Sequence, residues 1–289
     1  MSVLANRYSD DFQMGIRSIL AHKLRSALTM LGVIFGVAAV VSMIAIAGGA
    51  RLEALEQIRL LGSNNIRVNH LALTGEAREL ALRAGSEGLQ TRDLDLVAAN
   101  LPNLSGAAPI RFVDAPVHRG NRESTGRVVA TNSDYARVTD FRPVAGRFIG
   151  QLDVLEGKRV AVIGSDVREE LFGFVNPIGR TLRIGDVTFR VVGVMERREV
   201  REGRGSVIQV RNVNSDVYVP ISTASARLPS ADREDAVAEL AIKVSREEEI
   251  LPTASIVQRL LRISHRGVED FEVVIPAELL ARDFGLALS

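Results

Sequence analysis

The sequence predicts an α+β fold joined to a single N-terminal transmembrane helix. From Ser26 to Ala50 the chain carries no charged residue. Beyond this stretch, short strand-like and helix-like runs alternate without the regular βαβ order of a parallel sheet. The chain has no cysteine, so disulfides cannot hold the fold together and apolar burial must do so. We therefore expect a two-lobed α+β domain outside the membrane.

The uncharged stretch is long enough to cross a bilayer. As a helix it would measure about 37 Å, at roughly 1.5 Å per residue, against roughly 30 Å of hydrocarbon. Its ten large aliphatic and aromatic residues contribute about −3 to −6 kcal/mol on insertion scales, and no charge opposes them. The stretch is therefore interpreted as a transmembrane helix.

Two other interpretations of this stretch stay open. A buried core helix is one, although an apolar surface on every side over this length is more typical of a membrane span. A cleaved signal peptide is the other, because Ala45-Ile46-Ala47 fits the small-x-small cleavage pattern. Cleavage there would give a secreted chain beginning at Gly48, but such a leader exceeds the roughly 15 to 30 residues of ordinary signal peptides.

The residues around and within the span predict its orientation and its contacts. The first 25 residues carry four Lys or Arg against two Asp, and their apolar residues recur at helical spacing. We expect an amphipathic interfacial helix there, with Arg17, Lys23 and Arg25 at the cytoplasmic face. Gly32 and Gly36 form a small-xxx-small pattern that would let a second helix approach closely.

The helical pattern continues beyond the span as a predicted stalk. Four residues of this stalk are expected to matter: Arg51, Leu55, Ile58 and Leu61. The chain is thus divided into a cytoplasmic interfacial helix (1–25), a transmembrane helix (26–50), a stalk helix (51–62) and an extracytoplasmic core domain (63–289), whose second lobe covers roughly 105–230.

Within the external domain, local patterns predict its elements in order. Thr91 is expected to cap a helix with Leu94, Val97, Ala98 and Leu101 buried, after a loose loop or marginal helix over 73–88. Gly185-Asp186 is expected to be the two-residue turn of a hairpin. The other predicted helices are 165–172, 252–264 (with Ile256, Leu260 and Ile263 in line) and 276–288. The predicted strands are 66–69, 109–113, 127–131, 159–164, 181–184, 187–194, 217–220, 239–244 and 271–275.

No motif with recognisable chemistry is present in the sequence. It contains no G-x-x-x-x-G-K-[ST] loop, no G-x-G-x-x-G after a strand and no G-x-S-x-G elbow. The four histidines are far apart, and Asp93 and Asp95 are explained by the start of a helix. With a net charge of +1, no strongly basic face for nucleic acid is predicted. We expect no catalytic, cofactor-binding or metal-binding residues and no enzyme activity.

Several stretches, in order, resemble the N-terminal part of a MacB-type ABC exporter permease, whose external part is the MacB-like periplasmic core domain. They are GIRSILAHKLRSALTMLGVIFGVAAVV (15–41), LLGSNNIRV (60–68), GRF (146–148), RVAVIGSDVREELFG (159–173), PIGRTLRI (177–184), FRVVGV (189–194) and DVYVPISTA (216–224). Each stretch is modest alone, and the ordered series is fairly specific.

The resemblance implies a permease subunit in the inner membrane that transmits ATPase-driven motion to its external domain. The implied partners are a separate ABC ATPase subunit, a second permease copy, a membrane-fusion or adaptor protein and the lipid bilayer. Because the family permease has three more membrane helices after the external domain, the chain is expected to be a truncated permease or a fragment. The alternative is a single-pass anchored binding or adaptor module that does not itself transport.

Overall fold

The computed structural model describes residues 23–60, 65–198, 212–229 and 236–275. Helix α1 runs without a break from Lys23 to Leu60. The chain divides into two compact units, the first ending at Gln57 and the second beginning at Ile58. Since α1 is continuous, its backbone marks no boundary between the predicted interfacial helix, span and stalk. The predicted bounds of these three segments therefore stay predictions. The helix predicted over 276–288 lies outside the described residues.

The second unit combines helices and strands, which confirms the α+β class. Its described helices are α2 (Gly75–Ala84), α3 (Thr91–Asn100), α4 (Tyr135–Val138), α5 (Gln151–Leu155), α6 (Ser165–Phe172), α7 (Ile221–Arg227) and α8 (Ile250–Ser264). Its described strands are β1 (Asn65–His70), β2 (Leu104–Val113), β3 (Val117–Arg119), β4 (Arg122–Ser124), β5 (Arg127–Thr131), β6 (Pro143–Gly146), β7 (Val160–Ile163), β8 (Thr181–Ile184), β9 (Val187–Met195), β10 (Asp216–Pro220), β11 (Glu239–Val244) and β12 (Phe271–Val274).

One mixed sheet connects these strands in the order β12-β1-β11-β2-β5-β10-β7-β9-β8-β3-β4, and β6 pairs with β9. Strand β2 belongs to both halves of the sheet. Its residues 104–110 pair antiparallel with β11, and its residues 111–113 pair antiparallel with β5. The pairs β5–β10 and β7–β9 are parallel, and the other described pairs are antiparallel. The strands nearest the chain ends and the strands of the middle segment therefore lie in different halves of one sheet.

The β8–β9 hairpin has the predicted form. Thr181 to Ile184 pair antiparallel with Val187 to Arg190 across the two-residue turn. Gly185 at the first turn position has a φ of 56°, which a residue with a Cβ adopts only with strain.

The core contains a cluster of four aromatic rings. Tyr218 on β10 is fully buried, and its ring centroid lies 5.1 Å from that of Tyr135, 5.9 Å from that of Phe148 and 6.3 Å from that of Phe141. The Tyr218 hydroxyl donates to Asp216 Oδ2 at 3.2 Å. The rings come from three separate segments, so this cluster fastens α4 and the segment around β6 onto the sheet.

The start of α3 differs from the predicted one. Thr91 is the first helical residue, and Gln90 is the N-cap, whose backbone N–H donates to Asp93 Oδ2 at 2.9 Å. Leu94, Val97 and Leu101 are buried as predicted. Ala98 is exposed, so its predicted burial is wrong, because the buried face of this helix, with Leu94, Val97 and Leu101, does not extend to position 98.

The buried face of α8 also differs from the predicted stripe. Ile256 and Ile263 are 46% and 71% exposed. The buried residues of this helix are Ile250, Thr253, Ala254, Val257 and Leu261. The buried face of α8 thus combines small and large side chains, whereas Ile256 and Ile263 lie on its exposed side and Leu260, the third residue of the predicted stripe, is half-buried.

Gly146, at the end of β6, is expected to tolerate no side chain. Its φ is +73°, and an added Cβ would lie 2.2 Å from the carbonyl oxygen of Val192. We expect Gly146→Ala to lower the free energy of unfolding by about 2 to 5 kcal/mol, combining left-handed strain with overpacking. The matched control is Gly157→Ala, at φ +58° in open space, which should cost about 1 kcal/mol. Equal losses in urea unfolding followed by circular dichroism would contradict the steric explanation.

Candidate functional site: an apolar helix and its flanks

The N-terminal part of α1 has the length and composition of a membrane span. The apolar window Lys23–Gly49 is 27 residues long, and an 18-residue stretch within it has a mean hydropathy of 2.6 and no buried residue. Its large apolar side chains, including Phe35, Val37 and Ile44, are more than half exposed. A soluble core helix would bury such side chains, so the exposure argues against that interpretation. Length and composition alone do not distinguish a span from a signal sequence, so the signal-peptide interpretation stays open.

The glycines predicted to pack a second helix lie on this exposed surface. A Cβ added at Gly32 or at Gly36 would meet no atom within 4 Å. Because the two positions are four residues apart, they lie on the same face of α1. The surface is thus open to a neighbouring helix, and the packing role of these glycines stays a prediction.

The charged flank and the stalk are only partly described. Lys23 and Arg25 lie in the exposed first turn of α1, whereas Arg17 lies outside the described residues. Arg51, Leu55 and Ile58 lie in the C-terminal part of α1, and Leu61 lies outside the described residues. The roles proposed for these residues stay predictions.

The GRF stretch has a structural role in the second unit. Arg147 is bonded through both of its terminal guanidinium nitrogens to the buried carboxylate of Asp153, one at 2.5 Å and the other at 3.2 Å. Asp153 also accepts the backbone N–H of Gly150 at 2.9 Å, which starts α5. Burial alone would raise the pKa of Asp153, but the hydrogen bonds from Arg147 and Gly150 outweigh it and lower this pKa. The stretch therefore anchors α5 beside β6.

Sequence reasoning missed a buried ionic cluster at the corner where α3 meets α8. His265 Nδ1 lies 2.5 Å from Asp270 Oδ1, and His265 Nε2 lies 3.3 Å from Asp93 Oδ2. The hydroxyl of Ser86 donates to Asp270 Oδ2 at 2.5 Å, and that of Ser264 donates to Asp93 Oδ1 at 3.0 Å. The side chains of His265, Asp93 and Asp270 are at most 4% exposed.

Two pKa values in this cluster move in opposite directions. Burial alone would lower the pKa of His265, but its hydrogen bonds to Asp93 and Asp270 outweigh burial and raise it. Burial alone would raise the pKa of Asp93, but hydrogen bonds from His265 and from the Gln90 N–H lower it. Both shifts favour the charged forms, so His265 and Asp93 stabilise each other as an ion pair.

The cluster could not have been found from local sequence patterns. Asp93 and His265 are 172 positions apart, and each has an ordinary local explanation, as a helix-start carboxylate and as an isolated histidine. The only local signal is that the polar dipeptide Ser264-His265 ends an amphipathic helix and that Asp270 follows His265 by five residues.

An open cleft of about 550 Å³ lies beside α4 and α5. Its polar walls are formed largely by Asn132, Asp134 and Arg137. Arg137 donates to Asp134 at 2.7 Å, and Asn132 donates to the carbonyl of Ala107 at 2.9 Å. Because these groups bond to one another and to the backbone, the cleft presents few convergent polar groups to a ligand.

Within the described part of the chain, no group of three or more His, Asp or Glu side chains could hold a metal ion.

Comparison with known proteins gives consistent matches over most of the chain. Residues 26–259 match the family model of the MacB-like periplasmic core domain. The chain is 32% identical over 266 residues to the macrolide export ATP-binding/permease protein MacB 2 of Aeromonas hydrophila, covering 92% of this chain and 39% of that protein. It is 31% identical over 269 residues to the pyoverdine export ATP-binding/permease protein PvdT of Pseudomonas entomophila, covering 93% of this chain and 38% of that protein. The chain thus spans well under half the length of these relatives.

Two solved structures share the fold. The periplasmic region of MacB from Actinobacillus actinomycetemcomitans aligns with a TM-score of 0.63 at 18% identity, covering 82% of this chain and 100% of that one. The extracellular domain of the noncanonic ABC-type transporter YknZ from Gram-positive bacteria aligns with a TM-score of 0.57 at 20% identity, covering 73% of this chain and 100% of that one. At these identities the likeness concerns the fold alone.

Proposed function

Because the chain belongs to the MacB-like periplasmic core domain family, we propose that it is the permease-type membrane part of an ABC export system. In this proposal an ABC ATPase subunit binds on the cytoplasmic side, and its ATP cycle moves α1. The second unit lies outside the cytoplasm and receives that motion. The chain acts with a second permease copy and with a membrane-fusion or adaptor protein, and it carries no catalytic residue itself.

One observation supports the mechanical part of the proposal more than any other. Helix α1 is continuous from the apolar window through to Leu60, so the segment after Gly49 extends the helix by about 16 Å at roughly 1.5 Å per residue. A continuous helix resists bending and transmits rotation or translation along its axis, whereas a flexible linker would absorb it. The proposed stalk residues Arg51, Leu55 and Ile58 lie in this extension.

The charges near α1 support the proposed orientation in the inner membrane. The excess of Lys and Arg lies on the short N-terminal side, which the positive-inside rule places in the cytoplasm. Gly32 and Gly36 would form the contact with the neighbouring membrane helix, and Arg17, Lys23 and Arg25 would lie at the cytoplasmic interface. The names of the relatives refer to macrolide and pyoverdine export.

The proposal is tested by an ATP-dependent movement of the external unit. The chain has no cysteine, so a single Glu79→Cys substitution on α2, at a side chain 72% exposed, gives one spin label per copy. The labelled chain is purified from its native host together with any ATPase that accompanies it, and label-to-label distances are measured with ADP and with a non-hydrolysed ATP analogue. We expect an ATPase to co-purify and the distance distribution to shift between the two nucleotides.

A helix-breaking variant provides the control. Ala54→Pro interrupts α1 beyond the apolar window and should abolish the distance shift while the ATPase still co-purifies. If an ATPase binds but no distance changes, the mechanical role is wrong and the permease assignment survives. If no ATPase binds, even after any downstream membrane segment is restored, the permease assignment fails and the anchored binding or adaptor module becomes the better description.

A further inference from the structure

We propose that Asp93, His265 and Asp270 form a proton-dependent clamp that fastens the end of α8 and the start of β12 to the first turn of α3. When His265 carries its proton the corner is closed, and when the proton leaves, the corner opens locally. The inference concerns only the second unit and does not depend on the proposed export function.

The hydrogen-bond inventory of the cluster requires a charged imidazole. Each ring nitrogen of His265 faces a carboxylate oxygen, and an ionised carboxylate only accepts. The remaining partners of both carboxylates are also donors: the Ser86 hydroxyl at Asp270, and the Ser264 hydroxyl and the Gln90 N–H at Asp93. A neutral imidazole has one N–H and would leave one of the two contacts without a proton. With both carboxylates ionised, the arrangement is satisfied only when both ring nitrogens donate.

Charge leads to the same conclusion. With His265 protonated, the buried cluster holds two negative charges and one positive charge. Without that proton, two carboxylates would share a buried corner with no cation between them, which is strongly unfavourable. The helix ends add to this preference, since Asp93 lies in the first turn of α3 and His265 is the C-cap of α8.

The clamp joins segments that are distant in sequence. The backbone carbonyl of Asp270 accepts the N–H of Leu71 at 2.9 Å, and the next residue, Phe271, pairs with His70 at the end of β1. The ring of His265 meets that of Phe271 edge to face at 5.1 Å between centroids. Release of Asp270 would therefore loosen the junction of β12 with β1.

Other titratable groups surround this corner but lie at its exposed rim. Arg266 donates to the carbonyl of Ala84 at 3.0 Å, and the carboxylate of Glu87 accepts from the side chain of Gln90 at 2.9 Å. Glu269 precedes Asp270, and the ring of His70 lies against Gly88. Solvent screens these exposed groups, so the buried trio determines the response to pH.

The direction of the pH response follows from the two shifts. Since the pKa of His265 is raised above its ordinary 6.5, its contribution is complete below pH 6.5 and is lost as pH rises through the raised value. Since the pKa of Asp93 is lowered below its ordinary 3.8, its contribution is present above pH 3.8 and is lost as pH falls through the lowered value. The clamp is therefore closed in mildly acidic solution and opens on the alkaline side.

The first experiment reads the protonation state directly. The full chain, with ¹⁵N-labelled histidine, is placed in lipid nanodiscs, and the imidazole nitrogen shifts are followed from pH 5 to pH 9. His265→Gln identifies the signal among the four histidines, and His118→Gln is the matched control for substitution at a histidine outside the cluster. We expect the titration midpoint of His265 to lie above the ordinary 6.5, so that its imidazolium persists to a higher pH than that of an ordinary histidine. A midpoint at or below 6.5 would overturn the proposal.

The second experiment detects the opening itself, on the same nanodisc sample, by hydrogen–deuterium exchange of peptides covering 265–274. The β8–β9 hairpin serves as internal reference for the intrinsic pH dependence of exchange. Relative to that hairpin, the equilibrium constant for opening should increase about tenfold per pH unit between pH 6.5 and the raised pKa of His265. The reason is that one proton is lost when the corner opens. His265→Gln should exchange fast at every pH. If protection in the unmodified chain does not depend on pH, the cluster is a fixed polar network and the proposed clamp is wrong.

Discussion

Arginine at both Val37 and Val41 is expected to prevent stable insertion of α1 into the membrane. Both positions lie near the middle of the apolar window, and both side chains are 59% exposed. Each arginine at a helix centre costs roughly 2.5 to 3.5 kcal/mol on insertion scales, so the pair costs about 5 to 7 kcal/mol. The large apolar residues of the stretch contribute only about −3 to −6 kcal/mol, so the free energy of membrane insertion changes from favourable to unfavourable. Alkaline carbonate extraction should move the double variant from the membrane pellet to the supernatant.

The matched control puts the same two arginines at Leu24 and Ala27. These positions lie at the charged end of the window, where arginine side chains reach the headgroups at small cost. We expect this control to stay in the pellet. If the Val37 and Val41 double variant also stays there, α1 is not what holds the chain in the membrane. Mass spectrometry of the mature N-terminus then separates an anchor from a signal peptide, since cleavage would leave Gly48 first.

Local chemistry explains which parts of the fold were predictable. The β8–β9 hairpin requires only alternating side chains around Gly185-Asp186, and α6 ends where Gly173 follows Phe172. The apolar run in α1 is equally local, because its length and lack of charge predict a helix without information from any other segment. Signals of this kind are contained within a few residues, and the structure retains them.

The failures arise where a tertiary contact decided between two local options. On α8, apolar residues lie on two neighbouring faces, and helical spacing alone fits both of them. The core buries the face with Val257 and Leu261 and leaves Ile256 and Ile263 exposed. At α3, the cap rules favour Thr91 over Gln90, but the Asp93 carboxylate accepts the Gln90 N–H, and the same carboxylate also contacts distant His265.

Truncation of Tyr218 to alanine is expected to cost the second unit a large share of its stability. The side chain is fully buried among three other aromatic rings. Removal of a buried aromatic side chain typically costs about 3 to 5 kcal/mol, because the transfer free energy and the residual cavity add. The total free energy of unfolding of a single domain is about 5 to 15 kcal/mol. Urea unfolding of the purified full chain, followed by circular dichroism, should show the transition midpoint falling accordingly.

Tyr218→Phe separates the ring from its hydroxyl. This variant keeps the aromatic ring and removes the hydroxyl that donates to Asp216 Oδ2, which should cost about 1 kcal/mol. We therefore expect the alanine variant to lose at least twice as much as the phenylalanine variant. Equal losses would mean that the bond to the buried Asp216, rather than ring packing, holds β10 in place. Because Tyr135 on α4 packs directly against this ring, loss of the ring should also lower the protection of α4 in hydrogen exchange.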